Sequence, residues 1–135
     1  MESFEAGAIW VEAKQVSSTL FGSSSTSGIN DAEDAFRHAY ASYMSAAFFG
    51  NSEAKALGDA HERSAVNRWG ERIMDLYNNH VGRMLAADPS NHQRDPAVVI
   101  MDALIQGKLL LQPPNVGGNP RPGPNGSYYA TIPPK

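Results

Sequence analysis

The sequence predicts an all-α domain of about five helices with a small C-terminal β element. Three observations carry that prediction. Apolar residues recur at helical spacing in successive segments, capping and helix-breaking residues separate those segments, and seven of the nine prolines fall after residue 112. A chain of 135 residues is one domain of ordinary size, and 41% hydrophobic residues is enough to bury a core without cross-links. With no cysteine, disulfides and thiolate metal sites are both excluded.

The first helix spans residues 3–20, where Ile9, Ala13, Val16 and Leu20 share one face. The run FGSSSTSGIN stops it, because glycine and serine without an apolar period favour loops. The second helix starts at Asn30 or Asp31, either of which can cap free backbone N–H groups. It ends at Phe49, with Gly50 and Asn51 as left-handed C-cap residues. Ser52 caps a third helix ending near Ala65, and the connector VNRWGE leads to a fourth from about Glu71 to Ala87, closed by DPSN. Asp95 and Pro96 form a cap and first-turn pair, so PAVVIMDALIQ is a fifth helix, with Gly107 as its stop. The helical domain thus covers residues 1–112, followed by a Pro/Gly-rich tail over 113–135. KLLLQ (108–112) and SYYATI in that tail are the strand candidates for a short hairpin.

Charge and targeting narrow the function classes. A net charge of −3 and a pI near 5.7 argue against a general nucleic-acid binder. No apolar run approaches the length of a membrane span. MESFEAGAIWVEAK has neither a basic n-region nor a continuous apolar stretch, so a protein made in the cytoplasm and acting elsewhere would need delivery without a secretory signal peptide.

Three helices carry polar residues where an apolar stripe belongs. On the second, Asp34, His38 and Ser42 share a face beside Arg37, while Phe36, Tyr40 or Tyr43, and Ala47 are the better core candidates. Taken alone, Asp34 is better read as half of an exposed Asp–Arg or Asp–His pair, its charge suited to the helix dipole. On the third, His61 follows Leu57 inward, flanked by Glu62 and Asp59, although His–Glu alone matches no metal motif. On the fourth, Asn78 interrupts the stripe of Met74, Val81 and Leu85, flanked by Asp75 and Asn79. Gly82 follows, and a mid-helix glycine costs about 1 kcal/mol against alanine, which points to a close helix contact or a ligand.

Two chemistries fit a site shared by these helices. Asp34, His38, His61 and Asp75, with Glu62 near, could ligate a divalent metal ion that activates water at neutral pH, leaving Asn78 or Asn79 to orient substrate. Without a metal, His61 or Glu62 serves as general acid or base with Asp75 as carboxylate partner, His38 joins the catalytic set, and Arg37 and Arg83 bind an anionic substrate. The spacing alone does not choose. A structural polar network that holds the helices in register is the competing explanation.

Read together and in order, GIND…DAFRHAY, FGNSEAKALGDAHE and ERIMDLYNNHVGR resemble a bacterial domain family of unassigned function. Its members stand alone or end Rhs-type and other polymorphic toxins, including those delivered by type VI secretion. The resemblance covers roughly residues 28–110 and includes Asp34, Arg37, His38, His61, Glu62, Asp75, Asn78, Asn79, Gly82 and Arg83. The chain departs from it at Ala41, where a tryptophan is common, and lacks an asparagine common soon after, having Ser42 and Ser45 nearby.

The resemblance implies an effector context with an immunity protein and a secretion-system carrier as partners. Combined with the polar residues, it leads to an antibacterial hydrolase acting on the cell envelope, on peptidoglycan or its lipid-linked precursor. The alternatives are a non-catalytic binding or structural module whose Pro-rich tail docks a partner, and a nuclease toxin. The latter would gain from a basic patch around Arg63, Arg68, Arg72 and Arg83.

Overall fold

A computed structural model describes residues 4–22, 32–64 and 69–111. Among these, the chain forms five α-helices and one short 3-10 helix: α1 (Phe4–Phe21), α2 (Ala32–Phe49), α3 (Asn51–Ser64), α4 (Trp69–Ala87), η1 (Pro89–Asn91) and α5 (Pro96–Ile105). The all-α class is as the periodicity predicts. No strand occurs among the described residues, and the tail half of the expected hairpin lies outside them.

α2 is the central element, packing on α4 most extensively and also on α1, α3 and α5. That position explains its composition. Ala35, Phe36, Ala39, Tyr40, Ala41 and Tyr43 are buried, and so are Asp34, His38, Ser42 and Ser45 on its other side. A helix covered on nearly all faces needs small residues where neighbours approach and polar residues that find partners. The expectation of an exposed Asp34 is therefore corrected. Ala47 is exposed rather than part of the core.

α1 buries Ile9, Ala13 and Ser17, while Leu20 is 48% exposed. The inward stripe thus turns through Ser17 instead of ending at Leu20. The Tyr40 hydroxyl ties α1 to α2 by donating to Glu12 Oε2 at 2.6 Å. Burial and the adjacent Glu12 carboxylate push that hydroxyl's pKa up.

Gly50 ends α2 with φ of 90°, a conformation a Cβ disfavours. Asn51 is not part of that cap. It is the first residue of α3, and its Nδ2 donates to the Arg83 carbonyl at 3.0 Å, tying the α2–α3 corner to α4. α4 begins at Trp69, two residues before the expected start, and residues 65–68 lie outside the described ones.

The DPSN stop is an ordered device. Asp88 caps η1 by accepting from Ser90 N, and buried Asn91 donates to the Leu85 carbonyl at 3.0 Å. The Asp95 side chain accepts from Ala97 N at 2.9 Å and starts α5 as the Asp–Pro pair predicts. Beyond α5, Leu109 and Leu110 are buried in a non-strand segment, with Leu109 joining the α1–α2–α5 core and Leu110 packing near Met74 and Tyr77.

Candidate metal centre between helices two and four

The close approach of α2 and α4 rests on Gly82. A Cβ at that position would stand 2.2 Å from the Ala39 carbonyl oxygen, inside any allowed contact. Gly82 and the fully buried Ala39 therefore let the two backbones meet. Of the two uses the sequence allowed for this glycine, the structure selects the close helix contact.

With the helices this close, Asp34 and His38 of α2 face Asp75 of α4. His38 Nε2 lies 3.6 Å from Asp34 Oδ1 and 3.5 Å from Asp75 Oδ1. One ligand atom from each of the three residues falls within 4.8 Å of the others, and all three side chains are buried. An oxygen–nitrogen–oxygen set of this size can hold a metal ion. Arg37 Nη2 lies 2.5 Å from Asp34 Oδ1 and orients that carboxylate from the outer side.

The site favours a neutral imidazole. Burial, then the Arg37 charge and His61, lower the His38 pKa from 6.5 to about 3, against a hydrogen bond to Asn79 that raises it. The carboxylates at 3.5 and 3.6 Å lie beyond the 2.7–2.9 Å typical of a charge-assisted N–H···O bond. Neutral imidazole is the ligating form.

His61 stands beside this group rather than in it. Its ring stacks on Trp10, with centroids 4.2 Å apart and planes 15° from parallel, and its centroid is 6.3 Å from that of His38. Trp10 also meets His38 edge-on at 5.5 Å. Helices α1, α2 and α3 thus converge on an aromatic wall that borders the Asp–His–Asp set. The metal set expected from sequence narrows accordingly to Asp34, His38 and Asp75 among the described residues. Glu62 follows His61 on α3, and its side chain lies outside the described ones.

The paired asparagines diverge. Asn78 Nδ2 donates to the Leu110 carbonyl at 2.9 Å, and Leu110 N donates back to Asn78 Oδ1 at 2.8 Å. This reciprocal pair is spent on the segment after α5. Asn79, also fully buried, faces the site, and its satisfied amide orientation donates to the Asp75 carbonyl and Ser42 Oγ, each at 3.2 Å, and to the His38 carbonyl at 3.3 Å. Arg83 is 2% exposed, and its charge acts on His80, whose pKa it lowers after burial has done so first. Sequence reasoning missed Trp10. It adjoins Ile9 in an apolar helix, and only the long-range packing of α1 brings it to two histidines.

The fold and this group define a helical domain with a buried Asp–His–Asp cluster walled by a tryptophan–histidine stack. The chain belongs to the family described as a domain of unknown function (DUF6973), whose model matches residues 2–108. No curated protein and no solved structure matches it.

Proposed function

We propose that the chain is a metal-dependent hydrolase of the antibacterial effector kind, acting on the bacterial cell envelope, with peptidoglycan or its lipid-linked precursor as substrate. The observation that carries this reading is the convergence of Asp34, His38 and Asp75 from two helices within 4.8 Å. A divalent ion held there supplies Lewis acidity at neutral pH. Asp34 and Asp75 bring the negative charge that holds it, and His38 brings a neutral nitrogen donor. Arg37, whose side chain remains 21% exposed, is placed to meet an anionic substrate group beside the cluster. His61, partly exposed against Trp10, is the candidate for proton transfer at the rim.

The effector context rests on the three ordered motifs and their resemblance to polymorphic-toxin domains. It brings with it a proposed immunity partner and a secretion-system carrier. Among the described residues, no helix is long and apolar enough to cross a membrane.

The test is expression in a bacterium in two forms, one directed to the periplasm and one kept in the cytoplasm, each beside an Asp75→Asn control. Lysis from the periplasmic form alone, absent in a control that folds, is the expected result. Toxicity confined to the cytoplasm would move the substrate to an intracellular target such as nucleic acid. Harmlessness in both compartments would sink the effector reading.

A further inference from the structure

We infer that Arg37 is a latch on the metal site: it holds Asp34 in the metal-free protein and is released by a bound cation to take an oxyanion of the substrate. This rests on the metal reading above and adds an order to it, cation first and anion second.

One oxygen carries two claims. Asp34 Oδ1 accepts from Arg37 Nη2 at 2.5 Å, and the same atom stands 3.6 Å from His38 Nε2. The second separation is a ligand spacing, as is the 3.5 Å from His38 Nε2 to Asp75 Oδ1. Two ligands each about 2.1 Å from a tetrahedral ion stand about 3.4 Å apart. An ion seated among the three residues therefore draws on the oxygen that Arg37 already holds. Asp34 and Arg37 lie three residues apart on α2, so no other element has to move for the pair to open.

Charge gives the coupling its sign. Without a metal, two carboxylates against one guanidinium leave Asp34, Asp75 and Arg37 net negative. A divalent ion turns the same group net positive, and its repulsion of the guanidinium weakens the bond from Arg37 to Asp34. The planar fork of a guanidinium matches carboxylate and phosphate alike, so a substrate oxyanion replaces Asp34 with equivalent chemistry. Access is from the outer side, where the Arg37 side chain is 21% exposed against 9% for Asp34.

Calorimetry on the full chain tests the latch. Zinc chloride, an ion suited to imidazole and carboxylate donors, is titrated into wild type and Arg37→Gln. Each titration is run alone and with sodium acetate or sodium methylphosphonate at constant ionic strength, and melting temperatures are taken before metal is added. Without either anion, Arg37→Gln should bind zinc about 10-fold more tightly than wild type, the worth of one hydrogen bond to a charged group. An anion that takes Arg37 should raise the zinc affinity of the wild type by about 5-fold or more, and that gain should vanish in Arg37→Gln. A gain with acetate alone would support the latch and name a carboxylate, and one with methylphosphonate alone would support it and name a phosphate. Weaker zinc binding by a folded Arg37→Gln would make Arg37 a support for Asp34, overturning the inference while the metal reading stands. An equal gain in Arg37→Gln would mean that the anion meets the ion directly, and would overturn it too. Unchanged wild-type zinc affinity with both anions refutes the latch even where the variant does not fold. No zinc bound by either protein would remove the metal reading and the latch with it.

Discussion

Asn78 and Asn79 are adjacent and equally buried, yet Asn78 bonds the segment after α5 and Asn79 bonds the α2–α4 contact. Removing the Asn78 amide orphans both Leu110 N and Leu110 O, and each buried group left unsatisfied costs about 1–3 kcal/mol. Asn78→Ala is therefore expected to lose roughly 2–6 kcal/mol of stability, measured by urea unfolding, with zinc affinity unchanged at metal concentrations that keep the protein folded. Asp75→Asn should behave in the opposite way. It keeps volume and much of the hydrogen bonding but removes one of two negative ligands, so binding collapses while the unfolding midpoint moves little. The sequence placed both asparagines in the same candidate site, because a polar residue in an apolar stripe carries no label for its partner. What separated them was the return of residues 109–111 across α4, a long-range contact with no local signature.

The helices were legible where capping chemistry and apolar period agreed. Asp95–Pro96 marked the start of α5 to the residue, and Phe49–Gly50 marked the end of α2. Boundaries failed where one residue type suits two roles. Asn51 can adopt the left-handed cap, but its amide is drawn instead to the Arg83 carbonyl, and α3 starts there. Gly82 allows a close helix contact or a ligand approach from sequence alone, the structure shows the contact, and its effect is testable. Gly82→Ala places a Cβ 2.2 Å from backbone that has no flexible end to yield, so α2 and α4 must separate. We expect a loss of about 1–3 kcal/mol or more from overpacking. Zinc affinity should fall as well, because Asp75 moves away from His38, and titration of the folded fraction checks this. Asp95→Ala, remote from the site, should cost about 1 kcal/mol and leave binding intact.

A partly buried histidine on α4 gives the molecule an acid-side weakness. His80 titrates at 6.5 when unfolded, and burial, then Arg83 and Lys55, hold its pKa lower in the fold. As pH falls below 6.5 the unfolded chain takes up a proton that the folded chain resists, so stability drops with falling pH. Chemical unfolding at pH 7 and pH 5.5 should show this drop, and it should shrink in His80→Gln. The all-α class was visible from the sequence because five segments each carry their own period. The second and third walls of the site were harder to see, since residues 9–10, 34–38, 61 and 75–79 meet only after α2 takes the central position. Nothing in a local window signals that α2 will be covered on nearly every side.

The central claim is that Asp34, His38 and Asp75 hold a divalent ion. It is tested most directly by quantifying metal, by mass spectrometry, in the full chain loaded with zinc and then exhaustively dialysed, beside Asp75→Asn treated identically. About one ion per folded wild-type chain is expected, and essentially none in a variant whose circular dichroism is unchanged. Equal metal in both, or none in the wild type, would contradict it and leave the polar cluster as a structural network between helices.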